Sequence, residues 1–447
     1  MKQRVILCLL CLPFLMTGCA VEESKVIQTT NGMMMGMEPE AVIEYIVPNS
    51  APGILINQAG YEPGSNKVAV FRGEELPETF RVYHAETKQE VYVGEVEEKG
   101  YDEVTGERIA HGSFSDIETP GEYYIEADIL GYSYRFSIGD DVYREVLNSS
   151  LQHFYEEIQG KTVLEEEEIR SNCQALINIL LAYEMHGTAF DDQMGIAESG
   201  NGVLDVIDVL HFQAELLKKQ QETVLTSAEW ELVSYYAAAM AKFSYTYKEY
   251  DSVFATECLQ LADGAWTYME QNGQSVEEDM RFMAAAELYR ASGGQKFRSV
   301  IRQYGAAGER ELNSREAVYG AVAYLSTKQS VDIDLCSSFM ETIRAEASEI
   351  AADSKNSYYQ VNLQKETEEI LWDMVVFTVV DKVISNHEYA TVIENHLHFL
   401  LGRNSSAVSL IDGIGTKSDT EKTESVMDGG FRESVILFML SEVNDEM

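Results

Sequence analysis

Positive charge is scarce. The chain carries 33 Lys and Arg against 75 Asp and Glu, a formal net charge of −42. A basic face for nucleic acid or anionic lipid is therefore excluded, and a neutral partner such as a glycan fits better. Cysteine is scarce too. Of six, Cys8, Cys11 and Cys19 lie in the first 19 residues, which leaves the widely spaced Cys173, Cys258 and Cys336. The sole CxxC, Cys8–Cys11, lies in the apolar run of the first 19 residues and none occurs among these three, so nothing supports a zinc knuckle or a redox motif. Each of the three lies in an apolar helical context and reads as a small buried side chain. Three is odd, so at least one thiol stays unpaired within a monomer. Beyond the leader no run is long and apolar enough to span a bilayer. No repeat of fixed length appears, which argues against a solenoid.

What is present divides into four stretches. Residues 1–19 have the form of a targeting segment, with Lys2 and Arg4 before the apolar run Val5–Met16. Its end, Met16-Thr17-Gly18-Cys19, is similar to a bacterial lipoprotein box, which makes Cys19 the expected lipidation site. The implied location is the bacterial cell surface, with membrane contact through that anchor only. Residues 20–50 lack a sustained period and read as a flexible tether. Residues 51–140 hold short β-branched and aromatic runs parted by turn residues, at the spacing of a sandwich. From 141 to 447 an apolar face recurs near every 3.6 residues in at least ten segments joined by short loops. The expected fold is multidomain, an all-β immunoglobulin-like sandwich followed by an all-α toroid.

The most specific string is Glu198-Ser199-Gly200-Asn201-Gly202 and the helix after it, with Leu204, Ile207, Leu210, Phe212, Leu216 and Leu217 on one face. Asn-Gly and Ser-Gly pairs tolerate the positive φ of sharp turns. Asp205 and Asp208 suit the positive end of the helix dipole. This segment resembles the ESGNG stretch of glycoside hydrolase family 9, the cellulases. Gly53–Tyr61 and Phe114–Ile125 resemble the first and closing strands of the immunoglobulin-like domain that precedes many such enzymes. Leu151–Tyr155, Tyr236–Ala241, Asp279–Gly293 and His398–Asn404 resemble family helices in the same order. The resemblance implies an (α/α)6 barrel with an open cleft at one end, and β-1,4-glucan or a related oligosaccharide as partner. Calcium is known in the family, but no ligand set can be named here, and no cofactor is implied.

The resemblance also says where chemistry would sit. Family 9 enzymes invert, which takes two carboxyl groups about 6.5–9.5 Å apart with a water between them. The family's general base comes from a DAGD string after the first barrel helix. Here that region reads Glu156 to Arg170 and holds no such string. Glu165–Glu168, read as a short acidic connector, supply carboxylates in roughly the same part of the chain. No His follows His398, so the family's sugar-binding histidine string is absent as well. Gap-free counting back from the final helix puts Met427 at the acid's position, flanked by Glu424 and Glu433, the alternative candidates for general acid. Trp230, Trp266 and Trp372 are the only tryptophans that could stack on a sugar, and their apolar helical contexts favour core packing. Two readings follow: a family 9-like protein acting on or binding β-glucan with weak or lost hydrolysis, or a non-catalytic glycan- or protein-binding surface lipoprotein.

Overall fold

The computed structural model describes residues 45–273, 276–306, 312, 314–384, 388–411, 413–418 and 429–445. Among the described residues ten strands come first: β1 (Ile54–Leu55), β2 (Gly60–Tyr61), β3 (Val68–Gly73), β4 (Thr79–His84), β5 (Glu90–Glu95), β6 (Glu97–Asp102), β7 (Glu107–Ser113), β8 (Gly121–Ala127), β9 (Gly131–Tyr132) and β10 (Phe136–Ile138). They form two sheets, ordered β1-β3-β7-β6 and β2-β10-β8-β4-β5, with β9 beside β8. All pairings are antiparallel except β2 with β10. Inward-facing Phe71, Phe80, Ile109, Phe114, Ile125 and Phe136 fill the space between them. Two glycines make room for the Phe80 ring. A Cβ on Gly94 would come within 2.4 Å of it, and one on Gly112 within 2.5 Å.

Helices follow: α1 (Val142–Ile158), α2 (Glu166–Met185), α3 (Asp205–Lys218), the short α4 (Gln221–Val224), α5 (Trp230–Thr246), α6 (Ser252–Asn272) and α7 (Glu278–Ser292). Then come α8 (Gln295–Gly305), α9 (Arg315–Leu325), α10 (Ile333–Asn356), α11 (Thr367–Ile384), α12 (Ala390–Leu400) and α13 (Gly429–Asp445). Their ends obey local rules. Asp251 caps α6 by accepting from the amides of Val253 and Phe254, Ser314 caps α9, and Gly293 ends α7 at φ 68°.

Helix α2 packs on α13 and α5, α5 on α7, α7 on α9, and α11 on α13. An edge-to-face contact of Tyr319 with Trp372, centroids 5.2 Å apart, joins α9 to α11. These six helices are the inner ring, and α1, α3, α6, α8, α10 and α12 lie outside it. The inner helices run parallel, because like ends meet. Arg170 and Glu231, near the starts of α2 and α5, pair at 2.9 Å. Glu184 and Lys242, near the ends of the same helices, pair at 2.5 Å. The architecture is a sandwich followed by an (α/α)6 barrel, and the N-termini of the inner helices ring one end of it, the mouth, opposite the floor at their C-termini.

The two domains share a polar seam. The Gln58 amide N–H donates to the Leu401 carbonyl at 2.7 Å, and its side chain donates to Ala407 O and accepts from Lys417 N. Arg403 is fully buried there and donates to Asn395 Oδ1 at 2.8 Å. His111 on β7 meets the Tyr358 carbonyl at 2.6 Å. The strings Gly53–Tyr61 and His398–Asn404, far apart in sequence, thus face each other.

Candidate functional site at the barrel mouth

Helix α2 begins at Glu166, inside the stretch read as an acidic connector. The reason is a capping box. Glu165 accepts from the backbone at Glu168, while the Glu168 carboxylate accepts from the Glu165 amide at 3.0 Å. Glu166–Glu168 form the first helical turn, where carboxylates meet the positive end of the dipole. This corrects the reading of Glu165–Glu168 as a loop. Arg170, one turn on, bridges Glu167 at 2.5 Å and Glu231 on α5 at 2.9 Å.

The other inner helices supply similar ties. Tyr235 on α5 donates to Glu316 on α9 at 2.7 Å. Asp279 at the start of α7 accepts from Tyr304 and from Ser314, each at 2.7 Å. Arg315 lies 3.7 Å from Glu368 and 5.8 Å from the centroid of Trp372. Below them the ring axis is filled. Asn178 donates to Ser434 on α13 at 3.0 Å and accepts from Tyr319 at 2.6 Å. Asn178 and Ser434 have no exposed surface. Burial, reinforced by Glu316, pushes the Tyr235 phenol well above its ordinary value, and burial raises that of Tyr319 too.

Chemically, this mouth offers carboxylates engaged by arginine, phenol or helix-cap amides, over a layer of tyrosine, asparagine and tryptophan. A carboxylate whose lone pairs hold a guanidinium is poorly placed to take a proton from water. Among the described residues no cluster of three or more His, Cys, Asp or Glu is arranged to hold a metal ion.

Residues 49–131 match the cellulase N-terminal ig-like domain, and residues 147–429 match glycosyl hydrolase family 9. The second match alone takes in more than half of the 447 residues. The chain belongs to glycosyl hydrolase family 9. A cellodextrinase of Butyrivibrio fibrisolvens is 22% identical over 476 aligned positions, 82% of this chain and 85% of that one. A metagenome-derived glycoside hydrolase family 9 endoglucanase superposes with a TM-score of 0.73 at 18% identity, over 88% of this chain and 99% of that one. A Bacteroides ovatus GH9 structure gives 0.71 at 15% identity with the same coverage.

Within this family 9 barrel, Glu433 lies in the first turns of α13, half-buried and next to Ser434. Glu424 and Cys19 lie outside the described residues. The Glu198–Gly202 loop leaves the opposite end of α2 and packs on α1, where Tyr155 donates to Glu198 at 2.5 Å and Gln152 to Met194 O at 2.6 Å. Inside it, Asp192 accepts from the amides of Gly200 and Gly202, both at positive φ. It is a packing loop, not part of the mouth. Of the tryptophans, Trp266 is buried, but Trp230 and Trp372 are only half-buried, which departs from core packing for all three. Cys173 and Cys258 are buried and free, and Cys336 is free but partly exposed because α10 is an outer helix.

Sequence reading missed a carboxyl pair on facing helices. Burial lifts Glu346 on α10 to about 7 and Asp373 on α11 to about 6. Lys365 grips both Asp373 oxygens at 2.8 and 2.7 Å, and burial still outweighs its attraction. Asp373 directly follows Trp372, but an isolated Asp in an apolar helix carries no signal of its partner in the preceding loop.

Proposed function

We propose that this protein is a surface lipoprotein that engages β-1,4-glucan at the mouth of its family 9 barrel, with hydrolysis weak or lost. The observation that carries the reading is the state of the mouth carboxylates. Glu165 and Glu168 cap α2, Glu167 and Glu231 share Arg170, and Glu316 holds Tyr235. The family's DAGD string is absent from the same place. Losing a general base costs about 10²–10⁴-fold, while binding to the remaining scaffold persists. Half-buried Trp372, with Arg315 over one side, is the best-placed aromatic for a sugar face.

The test is reducing-sugar release from amorphous cellulose and mixed-linkage β-glucan, with binding to both measured in parallel. The expected result is retained binding, weakened by Trp372→Ala, with release at or near background. Release at ordinary cellulase rates, abolished by Glu424→Gln or Glu433→Gln, would identify the acid and overturn the reading of lost hydrolysis. Neither binding nor release would sink the glucan assignment and move attention to a protein partner. Lipid attachment at Cys19 has its own test. Cys19→Ser is expected to shift the protein from the membrane fraction to the soluble one, and unchanged fractionation would exclude the anchor.

A further inference from the structure

The seam holds a histidine whose protonation state is dictated by its neighbour. Asn57 Oδ1 accepts from the amides of Ala59 at 3.0 Å and Gly60 at 3.1 Å. That fixes which way the side-chain amide faces. Its Nδ2, a donor only, lies 3.0 Å from His398 Nδ1 and 3.3 Å from the Tyr143 hydroxyl. His398 Nδ1 must therefore be the acceptor, and the ring proton sits on Nε2. A second proton would set N–H against N–H. Turning the amide over would strip Oδ1 from two backbone amides at the β1–β2 corner. The ring cannot swing away, since it is fully buried with the Tyr61 ring 4.9 Å from its centroid.

We propose that His398 is an acid-sensitive latch between sandwich and barrel: neutral, it accepts the Asn57 amide and closes the seam, and protonated, it repels that amide and loosens it. The groups around it are Glu394 on the same helix, 3.7 Å from Nε2, the buried Arg403 guanidinium, and the phenols of Tyr61 on β2 and Tyr143 on α1. Burial opposes the imidazolium most, Arg403 adds to that, and Glu394 and the Asn66 backbone favour the charged ring without prevailing, so His398 sits below the ordinary histidine value. Burial keeps both phenols protonated and uncharged. Glu394 also lines a cavity of about 300 Å³ with Glu62 and Glu442.

The sign follows from linkage. With the folded value depressed, the latch contributes fully above the unfolded histidine value of about 6.5 and is lost as pH falls below it, through the folded value. His111, the other seam histidine, faces a carbonyl at 2.6 Å and donates to it, so it keeps its bond when charged and is no latch. This inference is independent of glucan binding.

The experiment is an NMR titration of the histidine Cε1–H signals in the full chain, with amide protection followed over residues 54–61 and 395–404. Amides of α5 at the barrel floor serve as internal reference for the effect of pH on exchange. The expected result is that wild-type His398 titrates below the free-histidine midpoint and that seam protection falls relative to the floor as it does. Asn57→Asp keeps an oxygen for the two backbone amides and offers a second one to Nδ1–H. In that variant the His398 midpoint moves above the free value and seam protection survives into acid. A wild-type His398 already protonated at Nδ1 at neutral pH with the seam protected, or a midpoint that Asn57→Asp leaves in place, overturns the latch. If Asn57→Asp does not fold, the wild-type titration decides alone.

Discussion

The two ends of the barrel handle charge in opposite ways. At the floor, Lys242 has no exposed side-chain surface and Glu287 only 3%, and Glu184 and Arg290 are mostly covered. Lys242 pairs with Glu184, Arg290 grips Glu184 at 2.6 and 3.2 Å, and Tyr245 donates to Glu287 at 2.7 Å. At the mouth, Arg170, Glu167 and Glu231 each keep about a third of their side-chain surface in water. The floor charges have each other, Tyr245 and little water, while the mouth charges have each other and ample solvent. Water around the mouth charges leaves room for a ligand to compete, and the buried floor holds three helices in register.

The sharpest way to break this contrast is to remove Lys242. Lys242→Met fills similar volume but leaves Glu184 and Glu287 facing one another with Arg290 as their only cation. Burial already raises Glu287, and Lys242 is the strongest group opposing that rise. The expected loss is about 3–5 kcal/mol of unfolding free energy, the range for breaking a buried ion pair from one side. The loss should shrink as pH falls, because protonating a stranded carboxylate relieves it. Urea unfolding at neutral and at mildly acidic pH reads both effects. A loss under about 1 kcal/mol would mean that the floor is wetter than its burial indicates.

The same contrast explains what could be read from the residues. The strings that were legible, Gly53–Tyr61, Glu198–Gly202 and His398–Asn404, turn out to be seam and packing loop. Their asparagines, glycines and arginine are fixed by backbone geometry and by burial, which demand particular residue types: Asn57 and Gln58 meet His398 and Leu401, and Gly402 lies against Gln58, where a Cβ would come within 2.4 Å. The sandwich and most helices were legible because alternation and 3.6-residue periods record burial locally. Strands β6, β7, β9 and β10 and helices α4 and α8 were not. The first two carry polar residues at edge or half-exposed positions, and α8 follows Gly293-Gly294 in the stretch where resemblance to the family is weakest. The floor network was invisible because Glu184, Lys242 and Glu287 each look like an ordinary polar helix residue until α2, α5 and α7 are side by side. The mouth was legible only as a loss, through the missing DAGD string. That Glu165–Glu168 had become a helix cap was written in the spacing of Glu165 and Glu168, which a charge run disguises.

The smallest expected effect sharpens the comparison from the other side. Arg170→Gln removes the guanidinium that joins α2 to α5 at the mouth, the counterpart of Lys242 at the floor. Its pairs with Glu167 and Glu231 are short, yet all three side chains are about a third exposed. Water can replace the lost partner at each carboxylate, and the two freed side chains regain rotamer freedom. The expected cost is therefore about 0–1 kcal/mol, within the range of surface ion pairs and partly screened by salt. Thermal unfolding of Arg170→Gln beside Lys242→Met, at low and at high ionic strength, makes the contrast quantitative. The mouth variant should lose its small deficit in salt, while the floor variant keeps most of its large one. Equal losses in the two variants would mean that the mouth is as closed as the floor, and a glycan chain would then have no entry along the ring axis.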